Sequence, residues 1–159
     1  MRAKNEAGIS EPSNVVGPVR VDSLLIVDEM RDMSRIFASG GSLAIESREP
    51  RKAKEDIHRL RGSKGDWLVY RTLNPLRSAT VRGFFEREVA DFEFLVSADG
   101  VDFTPVQAAR RDHFKGAGDY GYWKPVTFEI ADLPSGRYFL KLVFNTDAQI
   151  SNVEVEHRR

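Results

Sequence analysis

Cysteine is absent from all 159 residues. That excludes a disulfide framework, a thiolate zinc site and a cysteine nucleophile, and it leaves export from the cell open. Histidine is scarce: His58, His113 and His157 stand at no HExxH or other paired-ligand spacing. Net charge is also lacking, with 24 lysines and arginines against 24 aspartates and glutamates, so nothing marks nucleic acid or an anionic membrane as a partner. No run approaches the roughly 20 apolar residues of a membrane span. No charged-then-apolar signal segment opens the sequence, which is expected to be cut from something longer. There is no G-x-S-x-G elbow, and the glycines at 116 and 118 lack the strand-to-helix context of a phosphate loop. Carboxylates are plentiful, but no two are marked as a pair for glycoside hydrolysis.

Arginine supplies 17 of the 24 positive charges. Planar guanidinium forks suit carboxylates and sugar hydroxyls, which leaves room for an acidic polysaccharide. A genome of high GC content gives the same bias and is the simpler explanation. The chain is long enough to bury a real core in one domain with an appendage.

From residue 23 onward the signals are those of strands. Leu24, Leu25, Ile26 and Val27 suit a buried first strand. Residues 67–72 and 79–85 are rich in aromatic and β-branched side chains. Tyr138, Leu140, Leu142 and Phe144 alternate with Arg137, Phe139, Lys141 and Val143, and the cleaner apolar set is expected to face the core. Residues 150–156 form a last alternating strand. Residues 92–106 predict a hairpin, with Ala98, Asp99 and Gly100 at its turn, because Asp tolerates and Gly prefers positive φ. Helix is hard to place: residues 29–37 have weak helical character, and 49–58 read as loop or a single turn. About eight short strands predict an all-β fold, an antiparallel jelly-roll β-sandwich.

Several of these stretches resemble known families. Arg2, Ala3, Asn5, Gly8, Ser10, Pro12, Ser13 and Val16 resemble the end of a fibronectin type III domain. Residues 1–19 are therefore expected to be the remnant of such an upstream module with its linker, and residues 20–159 the main domain. A remnant of two strands cannot build its own sandwich. The 92–106 hairpin resembles one in extracellular β-sandwich modules of bacterial polysaccharide-degrading enzymes. The opening at residues 24–34, the region at 56–61 and the strand entry at 133–141 follow in the order seen in galactose-binding-like carbohydrate-binding modules.

This resemblance implies a noncatalytic module, secreted and covalently linked to a glycoside hydrolase or polysaccharide lyase, that binds polysaccharide and has neither nucleic-acid nor membrane partners. It also implies a structural Ca2+ ion, for which Asp28, Glu29 and Glu154 are the candidate ligands, with Asp32 and Glu156 nearby. Surface carboxylates explain these residues equally well.

Sugar sites combine aromatic faces with a few planar polar groups. Tyr120, Tyr122 and Trp123 in a glycine-rich loop form one candidate, with a plug at the core edge as the alternative role for Trp123. Trp67 and Arg71 form the second: as a strand, Trp67, Val69 and Arg71 share one face and Leu68, Tyr70 and Thr72 the other. Either face is open to being core, and buried tryptophan is the commoner fate. Arg59, with Asp56, His58 and Arg61, is placed to line the same edge, unless this segment is simply a solvated loop. The alternative function is a structural or interaction sandwich that braces a catalytic domain without binding sugar. An autonomous lyase or hydrolase, a third reading, requires a cleft of convergent charged groups.

Overall fold

A computed structural model describes residues 4–5, 8–9, 23–115 and 121–159. Lys4–Asn5 (β1) and Gly8–Ile9 (β2) pair with each other. The rest of residues 1–19, read as a fibronectin-type remnant, lies outside the described residues.

The remaining strands are Ser23–Asp28 (β3), Ala38–Gly40 (β4), Ala44–Glu46 (β5), Arg59–Gly62 (β6), Trp67–Arg71 (β7), Leu76–Phe85 (β8), Glu93–Ser97 (β9), Phe103–Val106 (β10), Ala109–Asp112 (β11), Lys124–Ile130 (β12), Phe139–Val143 (β13) and Ala148–Arg158 (β14). They form an antiparallel β-sandwich, as expected. One sheet has the order β10-β9-β13-β7-β4. The other runs β11-β12-β8-β14-β6-β5, and β3 also joins β14. β14 pairs with β6 through Ala148 to Ile150 and with β3 through Val153 to Arg158, and its register with β8 shifts between Ile150 and Asn152, where the partner changes.

Period-two alternation decides what goes inside. Leu68 and Tyr70 of β7, Phe94 and Val96 of β9, and Leu140 and Leu142 of β13 are buried. They face Val81 and Phe85 of β8, Phe128 of β12, and Val153 and Val155 of β14 in one core. Phe92 is its hub, with ring centroids 5.0 Å from Phe144 and 5.2 Å from Phe128, both edge-on. Such aromatic pairs add about 0.5–1.5 kcal/mol each beyond the area they bury.

Where helix was hard to place, polar side chains bind the backbone instead. Asp28 Oδ1 accepts the Met30 N–H at 3.0 Å, and Met30 turns left-handed with φ 54°. Asp32 Oδ1 then takes the Ser34 N–H at 2.8 Å. Such local bonds compete with a helical ladder, and residues 29–37 form bends rather than a helix. Pro50–Ala53 makes one 3-10 turn, ended by Lys54 and Glu55 at positive φ.

The hairpin expected at residues 92–106 is present as β9 and β10, but its loop is five residues long, since Ser97 pairs with Phe103. Asp99 organises it: Oδ1 accepts the Val101 and Asp102 N–H groups at 2.9 and 3.0 Å and the Ser97 hydroxyl at 2.9 Å. Gly100 adopts φ 80°, and a Cβ there would sit 3.1 Å from the Phe139 ring.

Candidate functional site

The outward face of the five-stranded sheet is set by register. Lys141 of β13 is level with Val69 of β7 and Leu95 of β9, Phe139 with Arg71 and Ser97, and Val143 with Trp67 and Glu93. Cross-strand partners share a face, so Trp67, Val69, Arg71, Phe139, Lys141 and Val143 all point away from the core. Phe103 joins them, opposite Ser97. Phe37, just before β4, adds a ring that is 55 % exposed.

These side chains interlock. The Lys141 ammonium lies 4.7 Å from the Trp67 ring centroid and 5.4 Å from that of Phe103. The Arg71 guanidinium lies 5.3 Å from the Phe37 ring and 5.7 Å from Phe139, and those two rings meet edge-on at 5.7 Å. Cations over aromatic faces are held by the ring quadrupole, at about 0.5–1 kcal/mol for exposed pairs. The Trp67 indole rests against Gly40, where a Cβ would come within 2.5 Å of Nε1. Glycine at 40 thus gives the ring its seat on the sheet. The result is a broad apolar surface carrying two cations, suited to stacking on the flat faces of sugar rings.

The opposite outer face is different in kind. Arg77 pairs with Glu156, Arg82 with Glu154 and Asn152, and Arg111 with Glu129. Three of its arginines are matched with carboxylates across strands.

Trp67 and Arg71 therefore share one outward face, at the two ends of β7 with Val69 between them. Trp123 and Arg59 do not join them. Trp123 is buried with Ala53 and Phe84 in a small second cluster, and its backbone N–H donates to the Lys52 carbonyl at 2.9 Å. Arg59 is wholly buried beneath it, its guanidinium 5.4 Å from the Trp123 ring. Nε donates to Gln149 Oε1 at 2.7 Å, and the terminal nitrogens donate to the carbonyls of Asp56 and Arg48. Burial lowers its pKa, opposed by the fields of Asp56, Glu46 and Glu49. The stacked pair is thus set apart from the Trp67 face and fastens the segment around residues 48–56 to the sheet, while an edge of Trp123 lines the cleft beside Tyr122.

Tyr120 lies outside the described residues. Tyr122 is 55 % exposed and borders a cleft of about 740 Å3 with Lys54, His113, Phe114, Lys115 and Lys124. His113 Nε2 is engaged with Thr127 Oγ1 at 2.9 Å, and Lys124 lies 5.8 Å from the Phe114 ring.

The calcium candidates are separated. Asp28 faces the core, where its Oδ2 accepts the Tyr70 hydroxyl at 2.9 Å. Glu29 binds Arg31 at 3.0 Å on the surface. Glu154 pairs across strands with Val27, so it points to the face opposite Asp28 and meets Arg82. These three residues do not fit one ion, and no other His, Asp or Glu cluster able to hold a metal forms among the described residues. Burial and the Asp28 carboxylate raise the Tyr70 pKa well above the usual phenol range.

Sequence reasoning missed Phe37, Phe103, Phe139 and Lys141. The alternation assigned Phe139 and Lys141 to the face away from the core, but only the β7-β13-β9 order places them beside Trp67.

No protein-family model and no curated protein matches the chain. A solved structure described as a β-1,3-glucan-binding CBM6 from Bacillus halodurans is similar at 16 % identity, with a TM-score of 0.45, over 86 % of this chain and 95 % of that one. A likeness of that degree assigns neither family nor ligand, and the site stands on its own geometry.

Proposed function

We propose that this domain is a noncatalytic carbohydrate-binding module whose platform is the outward face of the five-stranded sheet. The observation that carries the reading is the gathering of Trp67, Phe103, Phe139 and Phe37 around Lys141 and Arg71 on one side of the sandwich. Polysaccharide chains present flat apolar ring faces edged by hydroxyls, and such a surface offers both stacking rings and donors. In the full-length protein the module would hold a linked catalytic domain near its polymer, raising local concentration without taking part in bond cleavage. That role places the protein outside the cell, and it needs only modest affinity per module.

The test is electrophoresis of the purified chain through native gels cast with mannan, xylan, β-glucan, pectin or xanthan. Retardation in at least one gel, lost in Trp67→Ala and kept in Tyr122→Ala, is the expected result. Retardation that survives Trp67→Ala but not Tyr122→Ala moves the site to the loop cleft. No retardation in any gel defeats the sugar-binding reading and leaves a bracing module.

A further inference from the structure

Charges on the two outer faces are handled in opposite ways. On the seven-stranded face Arg77, Arg82 and Arg111 each have a carboxylate partner. At the sandwich edge Arg110 is clasped by both Asp112 and Asp91, at 2.7 and 3.0 Å. Arg71 and Lys141, at the centre of the five-stranded face, are placed differently. Neither makes an ion pair among the described residues, and both lie over aromatic rings instead. One carboxylate, Glu93, shares their face, diagonally across from Lys141 beside Val143. It forms no ion pair with Lys141.

Resting on the platform reading above, we propose that the ligand of this face is an anionic, uronate-bearing polysaccharide, with Arg71 and Lys141 receiving its carboxylates. The pair fits that chemistry. Arg71 offers a planar fork that matches a carboxylate bidentately, while Lys141 is a compact charge on a flexible stem that can swing off the Trp67 ring as the sugar arrives. They occupy diagonal positions on neighbouring strands, about 7–8 Å apart. Two separated cations, each over its own pair of rings, suit a polymer of stacked sugars carrying spaced charges. Nucleic acid would call for a longer row of phosphate contacts.

The test uses matched polymers: polygalacturonate and alginate, each beside its carboxyl-reduced neutral counterpart, with binding measured by titration calorimetry at low and moderate salt. The acidic polymer of at least one pair should bind about tenfold or more tightly than its reduced form, and the advantage should shrink as salt screens it. Lys141→Met and Arg71→Gln should each remove most of the acidic preference, read as the ratio of acidic to reduced binding, while the melting temperature falls by no more than a few degrees. Trp67→Ala should weaken both members of a bound pair. Equal binding of acidic and reduced polymers, or an acidic preference intact in both cation variants, overturns this proposal and leaves the platform reading standing. Failure of all four polymers, together with neutral mannan, xylan and β-glucan, overturns both.

Discussion

Removing the Arg59 guanidinium should be among the costliest single changes outside the main core. The group is completely buried and holds three acceptors, namely Gln149 Oε1 and the carbonyls of Asp56 and Arg48, while stacking on Trp123. In Arg59→Ala each acceptor loses its donor, at about 1–3 kcal/mol per buried orphan. The stacking, about 0.5–2 kcal/mol, goes as well. Water entering the vacated space restores part of this, so a net loss of about 3–5 kcal/mol is expected. For a domain of this size that lowers the melting temperature by about 6–20 °C. Arg59→Lys retains the charge without the fork and should fall between. Urea unfolding gives the free energies. In a Trp67→Phe background, fluorescence reports Trp123 alone and should shift red in Arg59→Ala as its cover is lost. A loss below about 1 kcal/mol, or an unshifted emission, would refute the view that this arginine clamps the segment around residues 48–56.

Three further outcomes follow from the same geometry. Gly40→Ala pushes a Cβ into the Trp67 indole, the movable end of a side chain, so it should weaken polysaccharide retardation with little change in melting temperature; retained binding would show that the seat of the ring is immaterial. Gly62→Ala meets the Phe144 ring at 2.7 Å and Leu43 at 2.9 Å inside the core, and calorimetry should find a loss of about 1–3 kcal/mol. Glu46 is held at a pKa of about 2 by Arg48, and Asp99 at about 2 by the Val101 and Asp102 N–H groups. Both lie below the unfolded carboxylate range of about 4, so their stabilisation is complete above it and is lost as pH falls from about 4 towards 2; the stability profile of a Glu46→Gln/Asp99→Asn double variant should be flatter over that window.

The face pattern of β7 and β13 was legible because two-residue alternation is local: Leu68, Tyr70, Leu140 and Leu142 declared themselves as interior. The companionship of Trp67 with Phe103 and Lys141 was not. It depends on which strands pair and in what register, and neither is written in any one stretch. Arg59 misled for a related reason. A charged residue in a polar segment reads as solvated, and its burial follows from carbonyls of residues 48 and 56 folding over it. The carboxylates considered for calcium failed on parity, because Asp28 and Glu154 lie on strands whose register turns them to opposite faces. The Asp99–Gly100 turn was recognised by composition, but its five-residue span reflects hydrogen bonds through Asp99 that no dipeptide rule specifies.

β14 has a consequence for how the protein comes into being. It pairs with β3, β6 and β8, strands that precede it by some sixty to more than a hundred positions, and it leaves the ribosome after all three. Until it emerges, those three strands lack the partner that joins them, and the half-made sheet exposes open edges. Closure must then await a long-range event, which favours slow folding and a nascent chain that depends on protection of those edges.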